Sequence, residues 1–181
     1  TWQGGTGYGV SYGDQGLVLL STTDGLTYNV VNRFDDIPNF PNESTVRFLD
    51  DGRMAIIIRR DGEKDNNGIL AVAEAPFNHW KYTDIGFRIG GPDMLIEKDG
   101  SILLSGRKYT DKGTTTTIWK ASSTDGPFEE VMDLHDIGPY DCSYTGIIRD
   151  KGNLLATWYK TYGKKKGDAA IYFVKIPAGK L

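Results

Sequence analysis

A few side chains in this sequence can do chemistry together if the chain brings them to one place. Glu43 is a carboxylate able to take a proton. Tyr144 carries a phenol whose ordinary pKa of ~10 makes it a poor nucleophile at neutral pH unless a base sits beside it. Arg59 and Arg107 offer planar, permanently charged forks that grip a carboxylate through two hydrogen bonds. Asp93 is a further acid, but it follows Gly91-Pro92, so turn capping competes with acid chemistry there. Plainer roles compete at the other positions too. Glu43 can be a solvated rim residue, Arg59 can pair with Asp61, and Arg60 is its rival as the useful arginine. Lys108 and Tyr109 flank Arg107, and Tyr144 is one of 10 tyrosines, which β-sheets pack readily.

These residues lie on a repeat. Segments 42–59, 91–107 and 143–159 each read as an apolar strand, a turn ending in glycine, and a second apolar strand, which is a hairpin signature. The turn glycines Gly52, Gly100 and Gly152 are spaced by 48 and 52 residues. A third strand follows each hairpin, at 68–73, 116–121 and 169–174, and a fourth follows the first two, at 81–85 and 129–134. Four antiparallel strands per ~40–50 residues make a propeller blade. Segments 8–12, 17–21 and 28–33 supply strands two to four of an earlier blade. No stretch has a helical period. The predicted fold is therefore all-β, a partial β-propeller of about three and a half four-stranded antiparallel blades. Their approximate bounds are 1–36 (partial), 37–88, 89–138 and 139–181 (partial). Such a chain is not expected to close a ring alone, so either missing N-terminal blades or a homo-oligomer is expected to complete it.

The hairpins also predict where the reactive residues go. Glu43 lies nine residues before Gly52 and Arg59 seven after it. Asp93 and Arg107 lie seven either side of Gly100, and Tyr144 and Tyr159 lie eight before and seven after Gly152. At ~3.3 Å per residue, all six sit roughly 20 Å or more from their turns and gather on one rim.

Two motifs carry a resemblance to a known family. Ser21-Thr22-Thr23-Asp24-Gly25-Leu26-Thr27-Tyr28 resembles the Asp box (BNR repeat) of sialidases, Ser-x-Asp-x-Gly-x-Thr-Trp, with Thr23 at the Asp position; 122–128 is a shorter copy. Glu43, Arg59, Arg107 and Tyr144 stand in the order in which sialidases (neuraminidases) carry a catalytic Glu, two arginines of a carboxylate-binding triad, and a tyrosine nucleophile. The resemblance covers nearly the whole chain, as a C-terminal half. It implies a glycoside hydrolase releasing terminal sialic acid, with Tyr144 and Glu43 catalytic and Arg59, Arg107 and Asp93 binding substrate. A neutral tyrosine suits that reaction, because a carboxylate nucleophile would be repelled by the sugar's own carboxylate. The family's first arginine and acid/base Asp have no counterpart here, so the chain is expected to be incomplete and inactive alone. A non-catalytic carbohydrate-binding or assembly propeller is the alternative, as is a glycosidase acting on neutral sugars through Asp/Glu.

Composition sets outer limits. The chain has 181 residues, 39% of them hydrophobic, enough for a core. The net charge of −3 gives no basic surface for nucleic acid, and the Lys164-Lys165-Lys166 cluster reads as a solvated loop tip. Cys142 is the one cysteine, a small buried filler, so no intrachain disulfide forms. His79 and His135 are too far apart in sequence to suggest a metal pair, and no metal or cofactor is expected. Trp2, Trp80, Trp119 and Trp158 read as packing between blades. No stretch is apolar enough to span a membrane. The expected partner is a carbohydrate, a sialoside or another glycan, and an extracellular or periplasmic location is expected ahead of a cytoplasmic one.

Overall fold

The computed structural model describes residues 1–162 and 167–180. The Lys164-Lys165-Lys166 cluster lies outside the described residues. Among the described residues every regular element is a strand. The first sheet holds β1 (Trp2–Gln3), β2 (Thr6–Gly13), β3 (Gly16–Thr22) and β4 (Asn29–Arg33). The second holds β5 (Pro41–Phe48), β6 (Met54–Arg60), β7 (Ile69–Ala73) and β8 (Lys81–Asp84). The third holds β9 (Ile89–Ile96), β10 (Ile102–Thr110), β11 (Gly113–Ala121) and β12 (Glu129–Asp133). The fourth holds β13 (Cys142–Asp150), β14 (Asn153–Thr161) and β15 (Ala169–Ile176). Each sheet is an antiparallel meander, and the four stand side by side as successive propeller blades. The pair Trp2↔Gly7 and Gln3↔Thr6 adds one strand to the first blade beyond those the sequence predicts.

The hairpin turns repeat one geometry. Gly52, Gly100 and Gly152 all adopt positive φ, at 87°, 82° and 82°, which glycine reaches without steric cost. Leu49 N–H donates to Arg53 O and Gly52 N–H to Leu49 O, both at 2.9 Å. Glu97, Ser101 and Gly100 repeat that pattern at 2.9 and 3.0 Å.

Period-two alternation then sorts each strand between two neighbours. Residues three and five after the turn glycine face the next blade, and those two, four and six after it face the preceding one. Met54, Ile56 and Ile58 pack with Leu17, Leu19, Tyr8 and Val10 of the first blade. Ala55 and Ile57 pack instead with Met94, Ile102 and Leu104 of the third. Leu103 and Ile118 pack with Ile147, Leu154, Ala156 and Ile176 of the fourth. Strands buried on both faces read as continuous apolar runs, as 54–58 does, and truncating fully buried Ile57 to alanine costs roughly 2–5 kcal/mol. Trp119 stacks on Phe87 within this packing, centroids 4.6 Å apart, and Trp158 stacks between His135 and Tyr172.

Candidate functional site

The inner strand of each of the last three blades carries a bulge at the end away from its hairpin turn. In β5 the pairing jumps from Pro41↔Arg60 to Ser44↔Ile58, so Asn42 and Glu43 together oppose Arg59. In β9 it jumps from Gly90↔Arg107 to Asp93↔Ser105, so Gly91 and Pro92 oppose Gly106. In β13 it jumps from Ser143↔Tyr159 to Gly146↔Thr157, so Tyr144 and Thr145 oppose Trp158. A bulge leaves two residues facing one and re-aims their side chains. Here it turns Glu43 of the second blade and Tyr144 of the fourth toward each other across the third blade's Gly91.

The resulting contact is direct. The Tyr144 hydroxyl donates to Glu43 Oε1. Arg59 Nη1 donates to Glu43 Oε2 at 2.6 Å, and the Gly91 N–H donates to the same oxygen at 2.9 Å. Gly91 adopts φ 52°, and its Cα lies so close to Tyr144 that an added Cβ would sit 2.8 Å from the Tyr144 nitrogen. Tyr144 itself adopts φ 47° and Ser143 φ 99°, backbone that L-residues visit at a cost and that clusters at functional sites.

The charges follow from these contacts. Burial pushes the Glu43 carboxyl up, but donation from Tyr144, Arg59 and Gly91 outweighs it and holds the group below the usual carboxylate range. The Tyr144 phenol is pushed up to about 12, first by its hydrogen bond to Glu43 and then by burial. Both shifts oppose a preformed tyrosinate. Burial disfavours the Arg59 charge, yet Glu43 and Asp61 hold that charge firmly in place.

Arginines ring this pair. Arg59 Nη2 meets Asp61 Oδ2 at 2.8 Å, and Arg88 Nη2 meets Asp61 Oδ1 at 2.6 Å. Arg88 also lies over the Tyr109 ring, 4.1 Å from its centroid. Arg107 donates through Nη2 to Asp141 at 2.6 Å and to the Tyr159 hydroxyl at 3.1 Å, and through Nε to Cys142 O at 2.8 Å. The Tyr159 ring stands 6.0 Å from that of Tyr144. Arg60, alternating to the other side of β6, is buried and meets Asp65 and the Asn67 carbonyl.

The structure thus gathers Glu43, Arg59 and Tyr144 in contact, with Arg107 reached through Tyr159. It does not bring Asp93 into that contact. The Asp93 carboxylate is buried and accepts from Arg47 Nη2 at 2.6 Å, Met94 N–H at 2.8 Å and Ile147 N–H at 2.9 Å. Asp61 is the partner the sequence offered Arg59, whereas two participants, Gly91 and Arg88, were not singled out from sequence. The Gly90-Gly91-Pro92 run carried a signal for the first, since paired glycines before a proline mark irregular, closely approached backbone. A cleft of about 810 Å³ opens at the opposite rim beside the Asp99-Gly100 and Lys151-Gly152 turns. Its Glu97 and Arg149 are paired with each other at 2.5 Å. Its Ser101 hydroxyl and amide both donate to Asp99, at 2.7 and 2.9 Å, a local turn contact between residues two apart, whereas the Glu43–Tyr144 contact joins two blades and is the better candidate. Among the described residues, no group of three His, Cys, Asp or Glu side chains is placed to hold a metal ion.

At 21–28 the acceptor that orders the turn is Asp24 and not Thr23. Its Oδ1 accepts from the Leu26 and Thr27 N–H groups, both at 2.8 Å, and these bonds hold its carboxyl down at about 2.

Comparison with known proteins bears on the fold. No family model and no curated protein matches this sequence. Among solved structures, the Bacteroides ovatus protein described as Xyloglucan PUL GH43B matches 99% of this chain and 38% of its own, at 13% identity and TM-score 0.69. A GH43_12 protein retrieved from a capybara gut metagenome matches 99% of this chain and 39% of its own, at 11% identity and TM-score 0.73. An endo-arabinase from Bacteroides thetaiotaomicron matches 98% and 73%, at 13% identity and TM-score 0.64. The chain spans under half the length of the first two. Its fold is that of propeller glycoside hydrolases. These neighbours are not sialidases, so the propeller part of the expected resemblance stands, and its sialidase part rests on the site residues alone.

Proposed function

We propose that this chain forms the catalytic face of a propeller glycoside hydrolase that removes a terminal sialic acid, with Tyr144 as nucleophile and Glu43 as its base. The observation that carries this reading is the hydrogen bond from the Tyr144 hydroxyl to the Glu43 carboxylate. A phenol gripped by an ionised carboxylate is the arrangement that nucleophilic attack by tyrosine requires. In the step proposed, Tyr144 Oη bonds to the anomeric carbon while its proton passes to Glu43. The glycosidic C–O bond breaks, and the leaving oxygen takes a proton from a donor outside the residues assigned here. Arg107, and Arg59 on exchanging its present carboxylate partner, bind the substrate carboxylate. Asp93 is assigned to holding β9 against β13.

A second reading has its own support. Arg59, Arg88 and Arg107 are each already paired with a carboxylate, Glu43, Asp61 or Asp141. The neighbours' names, xyloglucan and endo-arabinase, point to neutral glycans. On that reading the rim acts on a neutral sugar through its carboxylates. One experiment separates the two: incubation with fluorogenic sialoside, arabinoside and galactoside, for the wild type, Glu43→Gln and Tyr144→Phe. Sialoside release lost in both variants supports the first reading. Arabinoside or galactoside release that survives Tyr144→Phe supports the second, and binding without turnover supports a non-catalytic carbohydrate module.

A further inference from the structure

The connection from the first blade to the second carries three large apolar side chains and treats one of them differently. Phe34 and Ile37 are buried in the core that those two blades share. Phe40 is 64% exposed and stands outside the three apolar clusters. Both blades that flank this connection are present, so the exposure does not come from either end of the chain. The backbone here is also strained. Phe40 adopts φ 54° and Asn39 before it φ 68°, a region that L-residues enter at a cost. Three contacts hold that conformation. The Asp61 N–H is shared between Asn39 O at 3.1 Å and Phe40 O at 3.3 Å. Asn42 Nδ2 donates to Phe40 O at 3.0 Å. Gly62 comes so close that an added Cβ would sit 2.5 Å from the Asn39 Cβ.

Strand register places this ring at the mouth of the reactive cluster. The ladder of each inner strand begins opposite the residue eight after the turn glycine: Pro41↔Arg60, Ile89↔Lys108 and Cys142↔Lys160. The residues just before those pairs are Phe40, Arg88 and Asp141. Arg88 and Asp141 both face the cluster, as partners of Asp61 and Arg107 at 2.6 Å each. Phe40 holds the same place on the second blade, three residues before Glu43. Its carbonyl rests on the Asn42 amide, which also donates to Asp61, the partner of Arg59. Phe40 is level with the position two beyond Arg59, so at ~3.3 Å per residue it stands roughly 7 Å further out of the mouth.

We propose that Phe40 is the platform of a second sugar subsite, on which the apolar face of the pyranose next to the reacting sugar stacks. A pyranose carries hydroxyls around its edge and C–H bonds on its faces. A flat exposed aromatic beside charged groups therefore takes the face, while the charges take the edge. An exposed phenylalanine on left-handed backbone adds nothing to the chain's own packing, and strain of this kind persists where it presents a side chain for use. The height of Phe40 above Arg59 suits the neighbouring sugar and not the one whose anomeric carbon meets Tyr144. The platform rests on the reading of this rim as a glycan site and fits both of its forms, sialoside or neutral glycan. It adds a preference for linked sugars over single ones.

The test is calorimetric titration with paired probes that share a terminal sugar and differ in length: sialyllactose against methyl sialoside, and galactotriose against methyl galactoside. The wild type is compared with Phe40→Ala, Phe40→Trp, Phe40→Gly and Leu26→Ala, the last an exposed apolar residue on the opposite rim. On the pair it binds, the wild type is expected to hold the longer probe about threefold to tenfold tighter than the shorter. Phe40→Ala is expected to lose that advantage and to bind the shorter probe unchanged. Phe40→Trp and Leu26→Ala are expected to keep it. Phe40→Gly removes the ring and the strain together, so it is expected to lose the same affinity yet to melt about 1–4 °C above Phe40→Ala. Equal affinity of the wild type for both lengths overturns the platform and leaves the glycan reading standing. So does a Phe40→Ala protein that weakens both probes alike or neither. A wild type that binds no probe of either pair overturns the glycan reading and the platform with it.

Discussion

Replacing Gly91 with alanine probes how the Glu43–Tyr144 contact is held. Two separate costs arise. At φ 52° alanine is in the left-handed region, which disfavours a side chain by about 1–2 kcal/mol. The new Cβ would also lie 2.8 Å from the Tyr144 nitrogen and 3.1 Å from its Cα, backbone atoms that cannot rotate aside. Reaching ordinary contact at 3.4 Å requires the β13 bulge to recede by about 0.6 Å. Overpacking of this kind costs about 1–3 kcal/mol. The sum, roughly 2–5 kcal/mol, lowers the melting temperature by about 4–20 °C for a chain of this size. The recession also carries the phenol away from Glu43 and disturbs the Gly91 N–H bond to the same carboxylate. Misplacement by ~1 Å costs catalytic groups about a hundredfold, so kcat is expected to fall roughly tenfold to a hundredfold, measured below the melting transition on whichever glycoside the wild type turns over. Gly86→Ala is the control, since Gly86 has φ 88° but open space around it. It is expected to lose the strain energy alone and to keep its rate. Wild-type kcat and melting temperature in Gly91→Ala would refute the reasoning, as would an equal loss of rate in Gly86→Ala.

Other consequences follow from the same contacts. Arg59→Ala leaves Glu43 and Asp61 short of a partner in a largely buried cluster, so it is expected to cost about 3 kcal/mol and roughly 6–12 °C in melting temperature, checked by calorimetry. Glu43 and Asp61 are both depressed, Asp61 because Arg88 and Arg59 outweigh its burial. Their stabilisation is thus present above the unfolded values of 4.5 and 3.8 and lost as pH falls through the folded ones. Melting temperature is expected to drop on acidification below about pH 4, and to drop less steeply in Glu43→Gln. Asp93→Asn, which weakens the acceptor for Arg47 and Ile147, is expected to lower the melting temperature while leaving the affinity for sugar, measured by calorimetric titration, unchanged.

The blade pattern was legible because it is local. Turn glycines at a fixed period and alternating apolar residues specify hairpins whatever surrounds them, and equal distances from a turn put Glu43, Arg59, Arg107 and Tyr144 at one rim. What escaped was cross-strand. The bulges at Asn42-Glu43, Gly91-Pro92 and Tyr144-Thr145 exist only once a partner strand is in place, and they decide which rim residues meet. Asp93 shows the effect plainly. Counting from Gly100 put it on the rim, but it lies inside the regular ladder opposite Ser105, just below the bulge, with its carboxylate under the Ile147 amide. The Arg59–Asp61 pair was legible because the two are near neighbours in sequence, but Arg88 comes from a loop whose path is set by tertiary packing, so its pairing with Asp61 had no signature in spacing.

The account turns on a protonated phenol bound to an ionised carboxylate. Its most direct test follows the ionisation of Tyr144 through the carbon-13 shift of its Cζ, assigned by loss of the signal in Tyr144→Phe, in the wild type and in Glu43→Gln. The account predicts a midpoint near 12 in the wild type and one displaced toward ~10 once the carboxylate is gone. A midpoint at ~10 in both proteins would contradict it.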